Sequence, residues 1–248
     1  MTHLKLATWN VALPVATSRR EALRAFTDRE QADVWVLTET NDGFTPGHDF
    51  SHSSTAGRDG LHKDGHRWVT IWSQHPLDPL FTSDENRTAA VRIKPKSGDP
   101  FVVFGTVLPW IGSNWQEYPS ADGVAFREAL VVQSADWKRL RRYYPEDEFF
   151  VLGDFNQDLV KTPPRYYGSL ANRTALEEAL SDVGLDTLTA ADGDPIRRDS
   201  PPCACIDHIC ARADSKWSAE PATRWPDKPK PERWLSDHFG VSVSFRRG

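Results

Sequence analysis

Phe149 to Leu152 is an apolar run too short for a helix, and it stops abruptly at Gly153-Asp154-Phe155-Asn156. Such a run reads as a buried strand. The glycine lets the chain bend and another group approach the backbone closely. Asp154 and Asn156 stand two residues apart, so in an extended segment they project to one face. A carboxylate offers charge and a base; a carboxamide offers a neutral acceptor and a donor. Together they suit holding a water and a phosphoryl oxygen beside a metal ion. Gly, Asp and Asn are also ordinary turn residues, and the hexapeptide alone does not decide between site and turn.

The same construction recurs along the chain. Leu4 to Asn10 reads as a strand closing on Trp9-Asn10, with Leu4, Leu6 and Thr8 on one face. Ala32 to Glu39 reads as a second buried strand that finishes on a carboxylate, a plausible metal ligand, although a lone strand-end Glu is as often simply solvated. Strand-like runs follow at Trp68–Trp72, Thr88–Ile93 and Phe101–Val107, punctuated by Pro76, Pro79, Pro95 and Pro100. Cys205 to Ala211 places Asp207 inside a strand, where a buried acid needs a partner. Ser236-Asp237-His238-Phe239-Gly240 leads into an alternating terminal strand of Val241, Val243 and Phe245.

Helical patterns lie between these runs. Ser18 and Glu21 make a capping-box pattern ahead of a helix carrying Leu23 and Phe26. Ala125 to Tyr144 has an apolar stripe and a basic end that complements the helix dipole. Thr174 to Asp182 reads as a third helix, stopped by Gly184. No repeat and no boundary interrupts the chain, so residues 1–248 are expected to form one domain.

No apolar run approaches the roughly 20 residues of a membrane helix, and the N-terminus lacks a secretory apolar region. Cys203, Cys205 and Cys210 cannot all pair with one another, so buried thiols in a reducing, cytoplasmic setting are expected rather than a disulfide framework or a zinc site. The formal charge is −5. With Glu39, Asp154, Asp207 and Asp237 set aside as site carboxylates, the remainder of the 35 acids nearly balances the 30 bases. Nucleic-acid contact must then rest on local patches. Pro221 to Pro231, interleaved with Trp225, Lys228 and Lys230 and followed by Arg233, reads as a loop over the functional face. Trp110, Trp115 and Tyr118 sit among turn residues and suit either stacking on a base or core packing. The stretch 41–67 holds His48, His52, His62 and His66 without ligand spacing and reads as a surface loop.

Taken in order, Thr8-Trp9-Asn10, Leu37-Thr38-Glu39-Thr40, Gly153-Asp154-Phe155-Asn156, Ile206-Asp207-His208-Ile209 and Ser236-Asp237-His238 resemble the motifs of the endonuclease/exonuclease/phosphatase (DNase I-like) superfamily. The resemblance spans nearly the whole chain. It implies an α+β fold, a two-layered β-sandwich flanked by helices in four α/β/β/α layers. It also implies a Mg²⁺-dependent phosphodiesterase with Mn²⁺ as a substitute, here expected to be a nuclease acting on DNA or RNA. By the same resemblance Glu39 ligates the metal, while Asn10 and Asp237 complete or orient its shell. Asp154 aligns or deprotonates the attacking water, Asn156 orients it or holds the phosphate, and His238, fixed by Asp207, contacts the phosphate or acts as base. Trp110, Tyr118, Lys228, Lys230 and Arg233 are the substrate-binding candidates. Many members carry a histidine at the end of a central strand, where this chain has Val107. Hydrolysis of phospholipid head groups or phosphorylated metabolites, and a catalytically silent binding module, are the alternatives; oligomeric state is left open.

Overall fold

The computed structural model describes residues 2–56, 65–160, 166–197, 203–226 and 234–247. Its strands are β1 (His3–Asn10), β2 (Val34–Asn41), β3 (Phe50–Ser53), β4 (His66–Ser73), β5 (Leu77–Leu80), β6 (Thr88–Ile93), β7 (Phe101–Val107), β8 (Glu148–Asp154), β9 (Leu185–Thr187), β10 (Asp207–Arg212), β11 (Trp217–Ala219), β12 (Thr223–Trp225) and β13 (Gly240–Arg247). The helices are α1 (Thr17–Glu30), α2 (Val124–Tyr143) and α3 (Leu170–Asp182). One sheet runs β11-β13-β1-β2-β4-β3, with β12 also on β13; the other runs β5-β6-β7-β8-β10-β9.

Every residue of β7 and β8 is buried, because these strands are covered on both faces. Phe101, Val103, Phe150 and Leu152 face the other sheet and meet Leu4, Leu6, Val36, Val69, Ile71, Val243 and Phe245. The alternate residues, Val102, Phe104, Phe149 and Val151, pack under α2 and α3 against Phe126, Trp137, Leu140 and Leu176. On the opposite side Trp9, Trp35, Leu37 and Trp72 lie beneath Leu23 and Phe26 of α1. Three apolar layers thus separate four layers of secondary structure, the α/β/β/α arrangement expected. Double coverage also explains why these strands read as continuous apolar runs rather than clean alternations.

Several local expectations are corrected. Ser18 does not cap α1: the helix begins at Thr17 after Ala16, with no side-chain cap bond. α3 starts four residues before Thr174, because the Ser169 side chain accepts the N–H of Asn172. The stretch 41–67 contains β3, and Pro79 lies within β5 at a sheet edge, where its missing N–H is tolerated. Residues 223–225 of the proline-rich stretch are β12 rather than loop, with Trp225 buried beside Trp9 and Trp35.

Two glycines set how closely the layers meet. A Cβ on Gly105 would lie 2.6 Å from Val69 Cγ1 and 2.9 Å from Val36 Cγ1 of the facing sheet. Gly153 has φ +143°, and a Cβ there would lie 2.0 Å from the carbonyl oxygen of Thr106 on the neighbouring strand. Gly153→Ala is therefore expected to destabilise the fold by about 2 kcal/mol or more. A urea denaturation midpoint equal to that of the native protein would contradict this packing.

Candidate active site

Strand direction and register bring the polar strand ends to one edge of the sandwich. β1 and β2 run parallel, with Asn10 opposite Thr38, so Asn10 and Glu39 emerge together. β8 is antiparallel to β10, and Asp154 pairs with Asp207 as one strand ends and the other begins. β13 is antiparallel to β1, which puts the preceding Asp237 and His238 at the same edge. Asn10, Glu39 and His238 thus come from one sheet, and Asp154, Asn156 and Asp207 from the other.

Side-chain hydrogen bonds join the two groups. Asn10 Nδ2 donates to Glu39 Oε1 and to Asp154 Oδ2, each at 3.0 Å, while its Oδ1 accepts the N–H of Ala12. His238 Nδ1 is 2.6 Å from Asp207 Oδ2, and its Nε2 is 4.0 Å from Asp154 Oδ2. Asn156 adopts φ +48°, so the extended i, i+2 geometry does not hold for it. Its N–H instead donates to Asp154 Oδ1, and its Nδ2 to the carbonyl of Leu108. Glu39 has φ +50°, and the β2–β4 ladder is interrupted there, between Thr38↔Val69 and Thr40↔Arg67. Left-handed backbone in a non-glycine residue costs on the order of 1–3 kcal/mol; the bond from Leu13 N–H to Glu39 O holds this one in place.

A further set of contacts, with no signal in the sequence, fixes the segment before β13. Arg19 of α1 donates to the carbonyls of Val11 and Leu235, and Trp9 Nε1 donates to the carbonyl of His238. Ser236 Oγ donates to Asn10 O and accepts the N–H of His238.

Electrostatically the edge is overloaded with acid. Burial, reinforced by the charge of Asp207, raises the Asp154 carboxyl to about 6 against the pull of His238 and the hydrogen bonds. Burial likewise raises Asp207 and Glu39, opposed mainly by His238 and by Asn10 respectively. Burial alone would lower His238, but Asp207 and then Asp154 overcome it and push the imidazole up to about 10. Asp207 Oδ1 is buried without a hydrogen-bond partner.

These residues fit a hard divalent cation. Several carboxylate oxygens converge, one of them orphaned, and the imidazole nearby is already paired with Asp207. Asp154, Asp207 and His238 bring ligand atoms within 4.8 Å of one another, the one metal-competent cluster among the described residues. Asn10 faces its carboxylate neighbours with nitrogen, an orienting geometry. Asp237 is exposed at the mouth, close enough to add its charge to Glu39 and His238.

The other candidates are placed as follows. Half-buried Trp110 packs on Trp68 at 5.8 Å, with the Arg87 guanidinium against both rings. Half-buried Tyr118 stacks on Trp115 at 5.8 Å and packs on one side against the α2 layer. Val107 is enclosed in the inter-sheet core. His48 bonds to Ala32 O, at the opposite end of β2, and His52 and His66 lie in β3 and β4. His62, Lys228, Lys230 and Arg233 lie outside the described residues. None of the three cysteines is in a disulfide, and Cys205 and Cys210 are buried. None of the described helices is long and apolar enough to cross a membrane.

A two-sheet sandwich with its acids and imidazole gathered on one edge is the architecture of the DNase I-like phosphoester hydrolases. The model described as Endonuclease/Exonuclease/phosphatase family matches residues 7–238, and the chain belongs to that family. Among solved structures it is similar to an endonuclease/exonuclease/phosphatase from Beutenbergia cavernae (17% identity, 100% of this chain and 72% of that one, TM-score 0.70). It is also similar to a 3'-5' exonuclease from Neisseria meningitidis (18%, 98% and 100%, TM-score 0.66). A third is the beta toxin of Staphylococcus aureus with bound magnesium ions (15%, 98% and 99%, TM-score 0.60). At these identities the likeness establishes the fold. No curated protein matches by sequence.

The raised acids give a pH test. An unfolded aspartate titrates near 3.9, so Asp154, at about 6 when folded, favours folding below about pH 4 and loses that contribution as pH rises through 6. His238, raised from about 6.5 to about 10, keeps its full contribution below about pH 6.5 and loses it only as pH rises from there toward 10. A cation bound to the ionised acids offsets the loss. Excess Mg²⁺ should therefore raise the melting temperature more at about pH 8 than at about pH 5. No shift at either pH, or a larger one at the lower, would contradict a carboxylate cation site here.

Proposed function

We propose that this chain is a Mg²⁺-dependent phosphodiesterase, a nuclease acting on DNA or RNA. The observation that carries the reading is the His238–Asp207 bond beside Asp154, linked through Asn10 to Glu39. Within this reading Asp207 keeps the imidazole charged and orients it, so Nε2–H donates to a phosphate oxygen rather than accepting a proton. That leaves Asp154 as the base. Its two oxygens are aimed by the Asn156 N–H and by Asn10 Nδ2, and a carboxyl near 6 is close to the pKa that proton abstraction at neutral pH favours. Asn156, anchored on Leu108 O, directs its amide oxygen at the attacking water. Glu39, with Asp237 at the mouth, would hold Mg²⁺, whose contribution when bound is to neutralise phosphate charge.

Nucleic acid is favoured as substrate by the Neisseria neighbour, a 3'-5' exonuclease, and by an AP endonuclease from Archaeoglobus fulgidus among the similar structures. Trp110 and Tyr118, each half-buried, are proposed to offer faces to bases, and Lys228, Lys230 and Arg233 charge to phosphates. A cytoplasmic setting and a single-domain chain complete the proposal.

EDTA should abolish hydrolysis of a DNA or RNA substrate, and Mg²⁺ or Mn²⁺ should restore it, with the circular dichroism spectrum unchanged. Asp154→Asn and His238→Ala should each lower kcat by about 10²–10⁴ with little change in KM. Near-native rates in either variant would overturn the assignment. The rate should also fall with salt, and joint replacement of Lys228, Lys230 and Arg233 by alanine should flatten that slope; an unchanged slope would remove them from the interface.

A further inference from the structure

Three loops at the polar edge of the sandwich are each tied by hydrogen bonds to residues of the candidate site. In the first, Ala12 N–H donates to Asn10 Oδ1 at 2.9 Å and Leu13 N–H to Glu39 O at 2.7 Å. In the second, Leu108 N–H donates to Asp154 O and Leu108 O accepts Asn156 Nδ2, each at 3.0 Å. In the third, Ser236 Oγ donates to Asn10 O at 2.6 Å. Close to these anchors along the chain stand Val15, Ile111 and Trp234, which are 58%, 59% and 60% exposed. Exposed apolar side chains scattered singly need no explanation, but these share one edge, and a buried polar network holds one of them out. Ser113 N–H closes a turn onto Trp110 O at 2.9 Å, with Ile111 inside it. Ser113 Oγ accepts Arg87 Nη2 at 3.0 Å, and the same guanidinium lies 4.3 Å over Trp68 and 5.5 Å over Trp110. Past the turn, Trp115 Nε1 donates to Asp84 Oδ2 at 3.1 Å, and Trp115 and Tyr118 exchange backbone hydrogen bonds. Asp84, Arg87, Ser113 and Trp115 are all buried. Buried charges are costly unless hydrogen-bonded, and what this set fixes in place is a turn with an apolar tip.

We propose that the preferred substrate is single-stranded nucleic acid, whose bases beside the scissile phosphate pack on a rim made by Val15, Ile111 and Trp234. The proposal rests on the nuclease reading above. Asn10, Asp154 and Asp207 are buried, so a phosphodiester that reaches them brings its neighbouring nucleotides against the three loops. A duplex stacks its base faces away and turns sugar and phosphate outward, which apolar side chains match poorly. An unpaired strand has base faces free to pack on such side chains. Charge favours the same choice. The formal total is −5, and the exposed Asp237 adds an acid at this edge, so there is little general field to grip a second strand of phosphates.

The test measures kcat/KM in Mg²⁺ for a DNA and an RNA oligonucleotide, each free and annealed to its complement, and for bis(4-nitrophenyl) phosphate, which has no base. The native protein should cleave a single strand about 10-fold or more faster than its duplex. Val15→Ser, Ile111→Ser and Trp234→Ala combined should cut the single-strand value about 10-fold more than the value for the small diester, and so narrow the gap to the duplex. A duplex cleaved as fast as the single strand, or a variant that slows single strand and small diester equally, overturns the proposal and leaves the nuclease reading standing. Cleavage of the small diester alone overturns the nuclease reading as well, and cleavage of nothing overturns the phosphodiesterase reading with both. Vesicles of phosphatidylcholine and sphingomyelin that sediment with the native protein but not with the variant assign the rim to a lipid surface, and overturn the proposal. Should the triple variant fail to fold, the native ratio and Ile111→Ser alone decide by the same outcomes.

Discussion

Two hydrogen bonds cross from one sheet to the other at a single edge: His238 to Asp207, and Asn10 to Asp154. Each joins a residue at the end of one sheet to an acid of the other, and the candidate chemistry lies between them. They can form because parallel β1 and β2 end where antiparallel β10 and β13 begin. The surrounding polar bonds serve the same alignment. Arg19, Trp9 and Ser236 hold the segment carrying His238 against the end of β1, and Asn156 holds the end of β8 against the loop after β7.

The electrostatics follow from that arrangement. Buried acids drawn from two sheets raise one another and are balanced chiefly by a single imidazolium. A site in this condition is stable with a proton or with a cation, and the two compete for the same oxygens. Glu39 and Asn156 carry the cost of left-handed backbone at this edge, which is where such strain is commonly retained.

Much of this was legible in the sequence because its signals were local. Thr88–Ile93 and Phe101–Val107 are strands with the expected bounds, and the three long helical patterns are helices. The acids could be named because each closes or opens an apolar run. What escaped was set by tertiary contact. β9, β11 and β12 have three residues each, too few to carry a period. Ser18 had the right neighbour in Glu21, yet the chain enters the helix at Thr17 and leaves it inside the first turn. Arg19 lies on a surface helix, and only the fold brings it to the segment that carries His238.

The close approach at Gly105, where Val36 and Val69 leave no room for a methyl group, has a consequence for the chemistry. Glu39 and His238 ride on one sheet, Asp154 and Asp207 on the other, and the apolar layer between them works as a spacer. A change of side-chain volume in that layer is transmitted as a change of gap, since close-packed interiors pass strain along rather than absorb it. The spacing between the two sets of polar residues is therefore held by valines and phenylalanines of the layer between the sheets, and the thickness of that core fixes how far apart the two sets stand.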